Sequence, residues 1–437
     1  MTVANPGELV TAETDRDRTQ SRFSPARIYS ATLVTELLVM LVQIAVYKLV
    51  ATWLGQAGFS QYALARRVLA FLQPLTLLGL GMALPRYLAL TEGRGEASRS
   101  ARYFCAALLW AGGFTVLLAA TLLIWPRWFS YLFFGGTAYR SLIAPMALML
   151  VGMSLHCILY AFLRGKMAVG RANALQLIDN GLLPLLVLGL VHKDVAGMLW
   201  ALGFGWTATA GTMCLITVVM LGWENPVSEG RELLRYGLQR VPGDFALIAL
   251  LALPAFFAAH VGGIQQAGFV AFGLSLVNMI ASVFSPVGII LLPKVSRAIG
   301  SGDFKSVRSE IVFIRRSALL ISGAMVLLFE VLGAHLIRIY LGEAYVAAQG
   351  VVKVLALGGL PLAFYSALRS VIDAFHHRAI NTINLLVALA LFLMGSGVGA
   401  LWGDSQFVLW SFSAALTVLA LLTQREVQEI LKITTVR

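Results

Sequence analysis

Runs of 18 or more apolar residues recur from about residue 28 to residue 423 of this 437-residue chain. A segment that long, once out of water, must satisfy its own backbone hydrogen bonds, and an α-helix does so within a single segment. The alternating pattern of a membrane β-barrel does not occur. Composition agrees, with 59% hydrophobic residues, 12% charged and a mean hydropathy of +0.82, against roughly 25% charged in soluble domains. The sequence therefore predicts an all-α polytopic membrane protein and excludes a water-soluble enzyme.

At about 20 residues per crossing, twelve helices are expected. They fall near 28–50, 61–88, 101–125, 139–163, 171–191, 195–221, 233–258, 266–292, 317–337, 346–370, 379–401 and 405–423. Residues 1–27 carry Glu8, Glu13, Asp15, Arg16, Asp17, Arg18 and Arg22 without an apolar core, so they read as a disordered tail rather than a signal peptide. Of the 33 Lys and Arg, 25 fall in the two tails and in alternate connections, including six between 294 and 316. Arg127, Arg140, Lys193 and Arg338 face the other way. Basic residues concentrate on the cytoplasmic side, which places both termini there. The net charge of +12 then records topology and needs no nucleic acid.

The chain repeats itself at an offset of 205–210. Gln56-Ala57-Gly58-Phe59 returns as Gln266-Ala267-Gly268-Phe269, and Leu84-Pro85-Arg86 as Leu292-Pro293-Lys294. Gly136-Thr137-Ala138-Tyr139 returns as Gly342-Glu343-Ala344-Tyr345, and Tyr160 with Leu163-Arg164 as Tyr365 with Leu368-Arg369. Four anchors in one order define a repeat. Six helices per copy is an even number, so the copies are parallel, related by an axis along the membrane normal, with the substrate path between them. The expected division is a six-helix bundle over 28–223, a second over 224–424, and a cytoplasmic tail from 425 to 437.

Leu54-Gly55-Gln56-Ala57-Gly58-Phe59-Ser60-Gln61-Tyr62 resembles the loop after the first helix of bacterial polysaccharide and oligosaccharide-lipid flippases. Leu341-Gly342-Glu343-Ala344-Tyr345 followed by Val352-Lys353-Val354-Leu355-Ala356-Leu357 resembles their ninth-to-tenth helix segment. Leu163-Arg164-Gly165 and Leu234-Arg235-Tyr236-Gly237-Leu238 are similar to further family wording. The family usually has a proline directly after Tyr-Gly-Leu, whereas this chain reads Gln239-Arg240-Val241-Pro242. The resemblance, over about 28–423, implies the multidrug/oligosaccharidyl-lipid/polysaccharide exporter (MOP) superfamily and a V-shaped cavity between the two bundles.

A charge at mid-membrane costs about 2.5–3.5 kcal/mol on insertion scales, which makes each one a functional candidate. Lys48, Arg66, Arg67 and Lys353 lie toward the outer ends of their helices and are the substrate-binding candidates, weighed against snorkelling to the headgroups. Arg66 and Arg67 point about 100° apart, so one can line a cavity while the other does not. Glu36 and Asp179 sit about 12 Å in from the cytoplasmic ends of their helices, too deep for a short carboxylate to reach bulk water. They are the ion-coupling candidates, for H⁺ or Na⁺. Arg240 with Asp244, and Arg369 with Asp373, are spaced to neutralise each other along one helix face. The six histidines, His156, His192, His260, His335, His376 and His377, show no metal-ligand spacing, and Cys105, Cys157 and Cys214 read as buried hydrophobes. Pro74, Pro184, Pro254, Pro286 and Pro361 read as kinks. No cofactor or catalytic residue is expected.

The leading expectation is a flippase of the bacterial inner membrane that carries an isoprenoid-diphosphate-linked oligosaccharide or polysaccharide precursor by alternating access. Membrane lipids surround it, and glycan polymerase or export machinery would be its partner. A cation-coupled multidrug exporter of the same superfamily is the alternative. A membrane polymerase or ligase is disfavoured because the longest outer connection is the short stretch around 126–138.

Overall fold

The computed structural model describes residues 25–436 except 97, 192–193, 285–286, 288–290, 292–294, 296–303 and 376–378. His192, His376, His377, Pro286 and residues 294 and 296–303 of the expected basic loop at 294–316 thus lie outside the described residues. The first helix, Pro25–Leu77, is interrupted at Gly55 (φ 62°), giving arms α1 (25–54) and α2 (56–77). Then follow α3 (Leu80–Gly93), α4 (Arg99–Ile124), α5 (Pro126–Phe134), a 3₁₀ turn (Thr137–Leu142) and α6 (Ile143–Gly165). The first half closes with α7 (Val169–Leu177), a π turn (Ile178–Leu182), α8 (Leu183–Leu190) and α9 (Val195–Leu221). A connector helix, α10 (Val227–Leu238), leads to Val241–Ser282, interrupted at Gly263 (φ 78°) into α11 (241–262) and α12 (264–282). The second half continues with α13 (Phe304–Tyr340), a 3₁₀ turn (Glu343–Ala348), α14 (Gln349–Leu357), α15 (Gly359–Phe375), α16 (Ile380–Trp402) and α17 (Ser405–Val436).

Among the described residues ten stretches are long and apolar enough to cross a membrane. Two of them double back, which makes twelve crossings. The Tyr47 and Tyr62 rings lie 5.6 Å apart, whereas fifteen residues of straight helix span about 22 Å. Arg67 reaches Ala271 and Ser275 while Phe71, one turn on, packs on Phe245 and Phe256. Residues on either side of Gly263 therefore lie level, and the chain turns there as it does at Gly55. Positive φ at a one-residue reversal is the condition that glycine meets without a Cβ clash. The internal repeat is thus visible as geometry, because the two bends stand 208 positions apart and the two 3₁₀ turns 206 apart.

The expected helix at 233–258 is two helices. Pro242 has no N–H to continue α10 and fits the first turn of α11, so the break falls at Gln239–Arg240. The expected helix at 61–88 breaks at Leu78 (φ 49°) and Gly79 (φ 74°). Residues beyond 424 continue α17 as helix to Val436.

The halves meet at the end that carries the two bends, here the hairpin end. Tyr345 Oη donates to Ala51 O (3.0 Å), Tyr340 Oη to Ile44 O (2.6 Å), Gln56 Nε2 to Ala344 O (2.7 Å) and Gln265 Nε2 to Gln56 Oε1 (2.6 Å). Phe59 packs edge-on against Phe272 and Tyr345. Away from that end α1 keeps contact with its own half, through buried Thr35 and Val39 and the Asn173–Thr32 contact, but Leu33, Val34, Leu37, Leu38 and Leu41 are exposed. The molecule is a V closed at its hairpin end.

The closure depends on a close helix approach. A Cβ on Gly268 would fall 2.1 Å from Ser60 Oγ and 2.6 Å from Ser60 Cα, too near the backbone for a rotamer change to relieve. Gly268→Val is expected to add strain of about 1–3 kcal/mol to the closed hairpin end and to open it. Alkylation of an Ala51→Cys reporter, buried at that seam, should then speed up about tenfold. An unchanged rate would show that the approach is dispensable.

Candidate functional site

In the first half a polar network surrounds Asp179, which is fully buried. Gln176, Asp179 and Asn180 occur at i, i+3 and i+4 of an otherwise apolar crossing, so they share a face. The π turn at Ile178–Leu182 breaks the regular ladder there, and the loosened carbonyls need other donors. Trp206 Nε1 donates to Asp179 O (2.5 Å) and Gln43 Nε2 to Asn180 O (2.7 Å). The π turn is in this way tied to α9 and α1.

The Asp179 carboxylate is held from two sides. Thr209 Oγ1 donates to Oδ1 (2.6 Å), and His156 Nδ1 lies 2.7 Å from Oδ2. Burying an isolated carboxylate costs several kcal/mol, and these partners offset that cost. The other imidazole nitrogen, Nε2, has neighbours of both kinds: Gln176 Oε1 at 3.1 Å can accept, and Asn180 Nδ2 at 3.3 Å can donate. Asn180 Nδ2 also bonds Gln176 Oε1 (3.1 Å). With Nε2 bare, His156 accepts a hydrogen bond from Asn180 Nδ2, and with Nε2 protonated it donates one to Gln176 Oε1. The network can therefore hold a proton or release it without stranding a polar atom.

The two adjacent arginines point apart, and both find protein partners. Arg66 Cζ lies 5.4 Å from the Trp206 ring centroid, which places the cation against the Asp179 network. Arg67 crosses to the other half, where its Nη2 donates to Ser275 Oγ (2.6 Å) and Ala271 O (3.1 Å). Lys48 is exposed on α1 and Lys353 half-buried on α14, and neither shares a hydrogen-bond or ring partner with the arginines. Glu36 is exposed on the part of α1 away from the hairpin end, beside Tyr160 and Arg164.

No direct ion pair within 4.0 Å joins Arg240 to Asp244 or Arg369 to Asp373. Arg240 is the N-cap of α11 and its carbonyl accepts from Asp244 N (3.1 Å), but its guanidinium turns over Tyr236 at 5.1 Å instead of pairing directly with the Asp244 carboxylate. The foremost charged neighbour of Asp244 is Arg369, across on α15, ahead of Arg240. Asp373 Oδ1 accepts from Asn381 Nδ2 (2.7 Å).

Sequence reasoning placed Asp179 but passed over His156, Gln43, Trp206 and Thr209. The Gln176-Asp179-Asn180 triplet was the available signal. The crossing expected from 233 takes in the last residues of α10 (227–238), and α10 is docked on the first half. Leu233 is buried with Leu84, Leu88 and Phe104, and Glu229 Oε1 accepts from Arg99 (3.2 Å) with Arg102 at 3.3 Å. Burial works against the Glu229 charge, but Ser228, its own backbone N–H, Arg99 and Arg102 outweigh it and hold the carboxyl below the ordinary glutamate value. A lowered folded pKa contributes stability above the ordinary value and loses it as pH falls through the lowered one. Amide protection factors over 227–238, taken against the intrinsic exchange rate at each pH, should hold near neutrality and fall only at acid pH, with Glu229→Gln removing that dependence.

Three solved structures cover nearly the whole chain. An inward-facing multidrug resistance MATE family transporter of the MOP superfamily matches with a TM-score of 0.75 at 13% identity, over 92% of this chain and 99% of that one. The lipid II flippase MurJ in an inward closed conformation gives 0.69 at 13%, over 93% and 90%. The chain shares the fold of these two proteins. An outward-facing MATE structure gives only 0.56 at 14%, over 94% and 97%, in keeping with a V shut at its hairpin end. No protein-family model matches the sequence, and the comparison with curated proteins finds no match.

Proposed function

We propose that this protein is an alternating-access flippase of the bacterial inner membrane, with both termini and the mouth of the V on the cytoplasmic side. Its cargo is an isoprenoid-diphosphate-linked oligosaccharide or polysaccharide precursor. The 25 basic residues on the side of the termini support the orientation, and the resemblance of the Gly55 and Gly342 segments supports the family. The observation that carries the cargo class is the Arg66–Arg67 pair where the halves converge. A lipid tail is already soluble in the bilayer, but a sugar diphosphate is not, and arginine matches phosphate oxygens with paired N–H donors. Two adjacent cations there would repel a cationic drug. The bundles over 28–223, with α10 attached, and 241–424 rock about this seam, and Asp179 with His156 carries the coupling proton, a role for which exposed Glu36 is less suited.

Depletion of the protein in cells tests this reading. Lipid-linked glycan should accumulate on the cytoplasmic leaflet while sensitivity to cationic dyes stays unchanged. Dye sensitivity without glycan accumulation would instead assign the chain to drug export.

A further inference from the structure

The repeat duplicates a charged group as well as a bend. Glu36 stands nineteen residues before Gly55, and Asp244 nineteen residues before Gly263. The two carboxylates are therefore level, each about 28 Å along its helix from the bend. Each has a tyrosine and an arginine of its own half beside it. Tyr160 has Arg164 and Glu36 as charged neighbours, with Arg164 Cζ 5.6 Å from the ring centroid. Tyr365 has Arg369, Asp373 and Asp244. Tyr160 and Arg164 are four apart on α6, Tyr365 and Arg369 four apart on α15, and the pairs stand 205 positions apart. An acid–tyrosine–arginine triad thus occurs once in each half at equivalent places.

Glu36 reaches Tyr160 and Asp244 feels Arg369 within their own halves, but neither acid forms a direct ion pair there. No direct ion pair within 4.0 Å joins Glu36 to Arg164 or Asp244 to Arg369, and all four side chains are exposed. About 28 Å from the bends, these charges lie near the far edge of a roughly 30 Å hydrocarbon core, where an exposed charge meets water. The second half adds Arg240 and Asp373, one charge of each sign, so neither group carries a large net charge.

We infer that the two triads are complementary faces of one gate, each the binding partner of the other half of the chain. When the halves rock shut at the cytoplasmic mouth, the pseudo-two-fold axis sets Glu36 against Arg369 and Arg164 against Asp244. Two reciprocal ion pairs then replace four solvated charges, in a closed mouth where less water screens them. At the present hairpin-end seam equivalent positions already meet in this way: Arg67 and Ser275, 208 positions apart, touch, and Ser60 lies against Gly268. The inference rests on the alternating-access reading above and says nothing of the cargo.

Spin labels at Leu33→Cys and Val241→Cys, equivalent positions beside the mouth, read its width in full-length protein whose Cys105, Cys157 and Cys214 are replaced. The parent should show a wide and a narrow distance. Arg164→Glu, which sets acid against Asp244, should deplete the narrow population about tenfold, and Arg164→Glu with Asp244→Arg should restore it. A narrow population that persists in Arg164→Glu, or one that the double swap fails to restore in monodisperse protein, overturns the gate and leaves alternating access standing. A single wide distance in the parent under every pH and ion gradient overturns both. Arg164→Gln, milder for folding, should give an intermediate loss, and no loss would also count against the gate.

Discussion

Asp179→Asn should abolish uphill transport while the protein still inserts and folds. The substitution keeps the size of the side chain and the Thr209 contact but removes the charge that holds His156. Coupling between two sites is typically 1–3 kcal/mol, so accumulation against a gradient should fall by about 5- to 150-fold. Downhill exchange, which needs no coupling ion, should persist. His156→Gln keeps a donor toward Asp179 but cannot carry a proton, so it should flatten the dependence of transport on pH. Wild-type uphill transport by Asp179→Asn across a range of pH and sodium would remove Asp179 from the mechanism.

Arg66→Ala should block glycan export at normal protein levels, with lipid-linked intermediate accumulating. A charge-assisted hydrogen bond contributes about 1.5–3 kcal/mol, so losing one to the cargo corresponds to a loss of about ten- to a hundred-fold. Arg66→Lys should recover export only in part, since an ammonium lacks both the planar fork and the face that lies over Trp206. Arg67→Ala should differ in kind. It removes the bonds to Ala271 and Ser275, and so should loosen the hairpin end and raise Ala51→Cys labelling along with its effect on export. Full export by the Arg66→Ala, Arg67→Ala double variant would sink the anionic-cargo reading.

The fold was legible because membrane insertion allows few solutions. Apolar runs longer than 18 residues can only be helices, and the anchor around Gly55 to Phe59 with its copy near Gly263 marked both bends. That Gly55 and Gly263 take positive φ, and that α10 stands apart from α11, depended on local backbone geometry that hydropathy averages away. Pro242 was the one residue that pointed to the second break. Asp179 stood out because a carboxylate about eight residues inside an apolar helix is costly, but its partner did not. His156 lies 23 positions away on another helix, and only the packing of α6 against the π turn brings the two within 2.7 Å. Arg66 and Arg67 were legible as diverging, since consecutive helical residues must diverge. What each one meets, Trp206 in its own half or Ser275 in the other, depends on how the halves dock. The same limit applies to Asp244, whose foremost charged neighbour sits 125 positions further along the chain rather than one helical turn away.

On the proposed function, this chain itself moves an anionic lipid-linked saccharide across a bilayer by opening the V alternately to each side. Purified protein in liposomes, loaded with a fluorescent isoprenoid-diphosphate-linked oligosaccharide and given a proton gradient, tests it most directly through the accessibility of the sugar to a membrane-impermeant quencher. The account predicts rapid, gradient-dependent change in quenching with wild-type protein, no such change with Asp179→Asn or the Arg66→Ala, Arg67→Ala double variant, and no effect of a cationic dye as competitor. Quenching kinetics identical to those of protein-free liposomes, together with gradient-driven uptake of the dye, would contradict it.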